Sequence, residues 1–347
     1  MMNINPIEII SIGAGGIVKD AHLPAYKIAA YPVVGIYDID LQKATLLAEE
    51  FDIPLVFESL KHAVQAANKT TVFDLAVPGK QVLEVLQSLP DHASVLIQKP
   101  MGENLKMARE ILSCCRDKNL NAAVNFQLRY APFITRAKEL IAEQKIGTIC
   151  DIEIIINVYT PWHFWDFLKT AERVEILYHS IHYVDLVRSF LGNPQKVYAK
   201  SIKHPKSREL ESVRSAILMD YGEFTRANIL TNHNCGYDQK HQCSTIKIEG
   251  TKGAIRIEIG LLKNYPTGME DTFEYILFDD QKGWREEKIQ GTWFPHAFIG
   301  SMRELTKSTS NAQYLMDNSV EDCIHTMAAV EAAYISSRQG GITPDKL

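Results

Sequence analysis

The sequence predicts an α/β protein in which a doubly wound parallel sheet is followed by a strand-rich, mostly antiparallel region. Three observations carry this reading. Residues 1–125 alternate short apolar runs with helical patterns, the rhythm of βαβ units. The first apolar run, Ile9 to Ile12, enters a glycine cluster, Gly13-Ala14-Gly15-Gly16, just ahead of a helical pattern from Ile17. From about Leu128 the rhythm changes, and strands separated by turns such as Asp220-Tyr-Gly222-Glu and Gly250-Thr-Lys-Gly253 follow one another.

Taken in order, the helix after the glycine turn carries Leu23-Pro24-Ala25-Tyr26 near its end. Strands are expected at 32–37, 55–57, 72–77, 94–97 and 121–126, with helices at 41–51, 60–67, 81–89 and 105–117 between them. A helix over 133–144 then ends at Gly147, a glycine suited to a helix C-terminus. Strands follow at 150–159, 196–202, 213–220, 225–232, 244–249, 254–259 and 273–278. A helix over 175–192, closed by Gly192, interrupts them, and helices at 296–306 and 320–339 end the chain. No Pro/Ser linker marks the change of rhythm, and the expected domains are 1–125 and 126–347.

Composition narrows the classes. Apolar residues make up 46% and charged residues 23% of the 347, as in ordinary globular proteins. A formal charge of −5 argues against a nucleic-acid or anionic-membrane binder, both of which need a basic surface. No apolar run approaches the ~20 residues of a membrane span, and no secretory pattern opens the chain, so a cytoplasmic protein is expected. The six cysteines form no C-x-x-C pair and read as reduced thiols. Cys235, His241 and Cys243 match no common zinc spacing, so no metal is expected.

Four stretches could carry chemistry. Gly13 lets the chain turn off its strand, and Gly15 lets the backbone approach a pyrophosphate at a helix N-terminus. Val18 stands where a third glycine would complete the fingerprint. Asp38 ends the second strand, where a carboxylate takes the adenosine ribose hydroxyls and repels a 2′-phosphate, favouring NAD over NADP. The alternative is a turn or helix-capping aspartate. Lys99 leaves an apolar strand at the end where open α/β sheets place ligands, and a desolvated lysine can serve in proton transfer. In the helix over 175–192, His182 with Asp185 three residues on fits a general acid/base held by a carboxylate, and Tyr178 and Ser189 share its face.

Together, Gly13-x-Gly15-Gly16-Ile17, Lys99-Pro100 and His182-x-x-Asp185 resemble the Gfo/Idh/MocA oxidoreductases. Further matching text is His22-Leu-Pro-Ala, Ala76-Val-Pro78, Asn125-Phe-x-x-Arg129 and Gly250-Thr-Lys-Gly253. The resemblance implies a Rossmann domain, then an α/β domain whose large open antiparallel sheet serves homodimer or homotetramer contacts. It also implies hydride transfer between NAD, less readily NADP, and a sugar, inositol or related polyol. By the same resemblance Gly13, Ala14, Gly15, Gly16, Ile17, Asp38, Val77, Pro78, Gln81, Gln98, Lys99 and Asn125 line the cofactor. Lys99, Arg129, Trp162, His163, Tyr178, His179 and His182 meet the substrate, and Lys99, His182 and Asp185 are catalytic. The Lys-Pro bond is often cis in such proteins. Three positions depart from the pattern: Gln98 replaces a glutamate, Gln81 a histidine, and Tyr178 the acid of D-x-x-x-H, leaving Tyr178 or His179 to substitute. The segment 161–166 either stacks on a sugar ring or forms an aromatic core or oligomer contact. Two other functions stay open, NAD-dependent glycoside cleavage and non-catalytic dinucleotide sensing.

Overall fold

The structure is a computed structural model describing residues 7–236, 238–265 and 267–342. Two compact units divide the chain: 7–131 with Gly291–Met327, and Pro132–Gln290 with 328–342. The first unit holds five strands, β1 (Glu8–Ile12), β2 (Val33–Tyr37), β3 (Thr71–Leu75), β4 (Ser94–Gln98) and β5 (Asn121–Asn125). All pair in parallel, in the order β2-β1-β3-β4-β5. Helices α1 (Leu23–Ile28), α2 (Leu41–Phe51), α3 (Leu60–Ala66), α4 (Val82–Ser88) and α5 (Leu105–Asp117) connect them.

Every residue of β3 and β4 is buried, which is why those stretches read as continuous apolar runs rather than alternating ones. The helix starts are written locally. The side chains of Asp40, Ser59 and Asn104 accept from the Lys43, His62 and Met107 N–H groups and so satisfy first-turn donors of α2, α3 and α5. The helix His296–Ser310 completes this unit's core from far downstream, burying Phe298, Met302 and Leu305 with Ile9, Val18, Tyr26 and Leu96.

Two local expectations are corrected. The run 55–57 forms only a bridge from Val56 to Ile36, because it is short and follows Pro54, which has no N–H to give a ladder. The helix after β5, α6 (Pro132–Ala142), passes through a left-handed Gln144 (φ 57°) before reaching Gly147. Gly147 (φ 71°) serves instead a close approach, since a Cβ there would stand 2.3 Å from Thr251 Oγ1.

The second unit is built on strands β6 (Ile149–Asn157), β7 (Lys196–Ile202), β8 (Arg214–Asp220), β9 (Arg226–Asn232), β10 (Cys243–Gly250), β11 (Gly253–Glu258), β12 (Thr272–Leu277) and β13 (Arg285–Glu286). They form one sheet in the order β13-β12-β11-β10-β6-β9-β8-β7, antiparallel except where β6 meets β9. The expected α/β fold, a parallel sheet followed by a large and mostly antiparallel one, is the fold observed. One face buries Ile152, Ile154, Ile229, Ile246 and Ile257, while Tyr198, Ile202 and Leu230 stand half-exposed on the other. Helix α7 (Ile181–Leu191) ends at Gly192 (φ 72°), whose N–H donates to the Arg188 carbonyl. The closing helix spans Val320–Gln339. Among the described residues no helix is long and apolar enough to cross a membrane.

Candidate functional site

Because β2 and β3 flank β1 on opposite sides, the chain reverses its winding there, and the segments after β1 and β3 bound a crevice at the carboxyl ends of the strands. The segment after β1 is the glycine turn. Gly13 adopts φ 112°, and a Cβ on it would stand 2.3 Å from the Ala76 carbonyl oxygen at the end of β3. A side chain at Gly15 would meet nothing within 4 Å, and one at Gly16 only Asp20 at 3.9 Å. Both therefore leave open space over the start of a helix, where the Gly15 carbonyl accepts from Val18 and Lys19 and the N–H groups of Gly16 and Ile17 precede the first intrahelical bonds. The residues present fit a dinucleotide pyrophosphate. Gly13→Ala is expected to cost about 2–3 kcal/mol or more, because strained φ and backbone overlap act together. Urea unfolding measures it, and a cost below about 0.5 kcal/mol contradicts the turn geometry.

Asp38 is bonded directly to this turn. One oxygen accepts the Ala14 N–H at 2.7 Å and the other the Asp40 N–H at 2.8 Å. Helix capping falls to Asp40 instead. After β3, Val77 is half-buried while Pro78 and Gln81 are exposed, and the Gln81 N–H donates to the Pro78 carbonyl.

A buried polar chain runs behind the end of β4. His22 and Asp74 are both fully buried, with Nδ1 and Oδ2 2.8 Å apart. The amide nitrogens of Gln98 and Asn125 lie 3.2 and 3.4 Å from His22 Nε2. Amide donors at Nε2 require a lone pair there, so the proton sits on Nδ1 and is donated to Asp74. Gln98 Oε1 accepts the Lys99 N–H at 2.9 Å. Glutamine thus fits where a glutamate would place an acceptor against Nε2. Lys99 is half-buried, precedes a cis peptide bond to Pro100, and has its pKa pushed down to about 8 by burial.

Arg129 is 2% exposed, and its guanidinium donates to the Asp322 carboxylate at 2.8 Å and to the Asp317 carbonyl. In the second unit, His182 and Asp185 lie in α7, 8% and 1% exposed. A π-helical turn, Ile176–Ser180, precedes α7, a feature frequent at functional sites. Its side chains diverge. Tyr178 packs on the Leu168, Val174, Leu210 and Val213 cluster, edge-on to Phe167. His179 lies with its ring centroid 4.4 Å from His233 and 5.1 Å from Trp162. Trp162 Nε1 donates to Asn234 Oδ1 at 3.1 Å, and His163 is exposed beside Phe164.

Glu175, fully buried, lies 3.3 Å from His233 Nε2 and accepts from Ser180 Oγ at 2.6 Å. His233 Nδ1 is 2.9 Å from Thr160 Oγ1. Asp74, Glu175 and His233 were not singled out by sequence reasoning, and His22 entered only within the matching text His22-Leu-Pro-Ala. Asp74 left a trace as a carboxylate inside an apolar strand; Glu175 and His233, 58 positions apart, left none. Among the described residues no group of three His, Cys, Asp or Glu side chains has metal-binding geometry.

Residues 7–126 match the family described as oxidoreductase family, NAD-binding Rossmann fold, and residues 134–256 match the GFO/IDH/MocA C-terminal domain. Glucose-6-phosphate 3-dehydrogenase of Bacillus subtilis is 31% identical over 144 residues, 41% of this chain and 40% of that enzyme. Another Bacillus subtilis relative is matched over 42% of its length, so the chain aligns with well under half of either. Among solved structures, an Agrobacterium radiobacter oxidoreductase in complex with NAD+, L-tartaric acid and magnesium superposes with TM-score 0.79 at 19% identity, covering 97% of this chain and 98% of that one. The aldose-aldose oxidoreductase of Caulobacter crescentus, complexed with glycerol, gives TM-score 0.81 at 12% identity, covering 97% and 99%.

Proposed function

Because the chain belongs to the Gfo/Idh/MocA oxidoreductase family, we propose that it transfers hydride between NAD and a sugar, inositol or related polyol. The observation that carries the cofactor half is the open Gly15-Gly16 turn bonded through Ala14 to Asp38. For the substrate half the support is a relative named for sugar oxidation, glucose-6-phosphate 3-dehydrogenase.

In this reading the N–H groups at the helix start receive the pyrophosphate. Each carboxylate oxygen of Asp38 has a lone pair beyond the one given to Ala14 or Asp40, and these take the ribose hydroxyls. When bound, the nicotinamide supplies the hydride acceptor or donor. Lys99 donates to the reacting oxygen and stabilises charge developing there. His182, positioned by Asp185, exchanges the hydroxyl proton. Trp162, His163 and His179 orient the polyol. The domains 1–125 and 126–347 divide cofactor from substrate binding. The sheet face bearing Tyr198, Ile202 and Leu230 joins copies into a homodimer or homotetramer, in keeping with apolar groups interleaved with Lys196 and Lys200.

The test is a screen of sugars, inositols and sugar acids with NAD and NADP, read at the reduced-nicotinamide absorbance. Turnover with NAD is the expected result. Tight NAD binding without turnover on any member of the panel overturns the catalytic reading in favour of a dinucleotide sensor. Asp38→Ala is expected to weaken NAD roughly 10- to 100-fold, the loss of hydrogen bonds to a charged group, and to narrow discrimination against NADP. Unchanged Kd values for both cofactors, by fluorescence titration, contradict the role of Asp38.

A further inference from the structure

The second unit holds a carboxylate that no step above uses. Glu175 sits at the start of the π-helical turn with no exposure to solvent, where an unpaired charge would be costly. Burial alone would raise its pKa. The nearby His233 ring, 3.3 Å away, with the Ser180 and Ser215 hydroxyls, outweighs that and holds the carboxyl below its usual range. The wide turn puts Ser180 five residues on, directly over Glu175, at 2.6 Å. His233 spans from Glu175 on one ring nitrogen to Thr160 on the other. His179 packs tilted against that ring, and Trp162 meets both imidazoles edge-on, at 5.1 and 5.8 Å, so the plane of each is set by packing.

Other groups close the cluster. Trp165 approaches His179 at 6.4 Å, and the phenols of Tyr183 on α7 and Tyr334 on the closing helix lie within electrostatic range of Glu175. Glu211, the other acid at this end, accepts from the Val174 N–H and the Ser212 hydroxyl. The one buried carboxylate thus faces two imidazoles whose rings lie 4.4 Å apart and tilted by 43°.

We propose that Glu175 and His233 are positioning residues that hold His179 as a proton-handling group of the substrate site. They supply, from three residues upstream, the carboxylate that Tyr178 does not. The proposal rests on the oxidoreductase reading. It makes His179, rather than Tyr178, the residue that takes the place of the missing acid, its ring held in place by the His233 ring that Glu175 and Thr160 fix from either side.

The test records the histidine ring nitrogens of the full-length wild type, Glu175→Gln and His233→Asn by 15N NMR, without ligand. Glu175→Gln is expected to change the ring-nitrogen chemical shifts of His233, whose Nε2 faces the carboxylate at 3.3 Å. On the substrate found by the screen, kcat is expected to fall roughly tenfold or more, with its acid limb displaced and the NAD Kd unchanged. Glu175→Asp is expected to restore part of both effects. His233→Asn removes the ring against which His179 packs and is expected to displace the same limb, so the test survives if Glu175→Gln fails to fold. Histidine ring-nitrogen spectra unchanged in Glu175→Gln overturn the positioning role. A changed spectrum with an unmoved kcat profile overturns its part in proton handling and leaves a structural pair. A wild type that binds no dinucleotide overturns the oxidoreductase reading itself, and the proposal with it.

Discussion

Replacing Lys99 with alanine is expected to lower kcat by roughly two to three orders of magnitude, as loss of a preorganised donor to a developing oxyanion does. The NAD Kd should move little, since the interaction is made with the reacting oxygen in the transition state. Only the ammonium form makes a charge-assisted hydrogen bond. With its pKa near about 8, wild-type turnover in the reductive direction should fall as pH rises through that value. The same burial carries a stability cost of definite sign. Folding lowers the lysine pKa from 10.5 to about 8, so the folded chain binds this proton more weakly than the unfolded one. Below about pH 8 both states are protonated and the full cost of burying the charge stands. Between there and 10.5 the folded state sheds its proton first, and the cost shrinks as pH rises. Lys99→Met keeps the apolar stem and removes the charge. It should therefore be more stable than wild type at pH 7, by about 1–3 kcal/mol after discounting for partial exposure, with the gain fading toward pH 10. Equal turnover in Lys99→Ala contradicts the catalytic role, and a less stable Lys99→Met contradicts the desolvated ammonium.

Asp74→Ala is expected to cost about 1–3 kcal/mol, because it strands the buried His22 N–H without the acceptor that holds its proton. Replacing both members with leucine should cost less than the sum of the single variants, since neither buried polar group then lacks its partner. Denaturant midpoints at constant m-value measure both. The consequence extends to Lys99. Gln98 spans from His22 Nε2 to the Lys99 N–H, so a loosened imidazole frees the amide that orders the end of β4. Asp74→Asn, which keeps the shape, should then lower kcat more than it lowers stability. A cost below about 1 kcal/mol for Asp74→Ala shows that the pair contributes little.

Much of this molecule is legible from local sequence. Helix α2 runs over 41–51 as its pattern predicts, capped by Asp40, and α5 over 105–117, capped by Asn104. Both limits are set by short-range hydrogen bonds between a side chain and N–H groups three residues on. Gly13, Gly192 and the strand-end position of Lys99 are legible for the same reason, since each is a demand of the local backbone. Where local signals conflicted with packing, packing won. Residues 55–57 carry strand-forming side chains but make a single bridge, and Gly147 answers to Thr251, 104 positions on, rather than to the helix before it.

By itself the sequence determined the order and type of the elements, the change from parallel to antiparallel sheet, and the glycine turn with its acidic partner at position 38. These follow from periodicity, caps and turns, which act over a few residues. Tertiary structure alone decided which polar groups would be buried together. It placed His22 on Asp74 and Gln98, His233 on Glu175, and the helix His296–Ser310 in the core of the first unit. Burying a polar group without a partner is costly, and the partner is found across the fold rather than along the chain. That is why Gln98, read alone as a departure from the pattern of its relatives, is a fitted member of the chain behind Lys99.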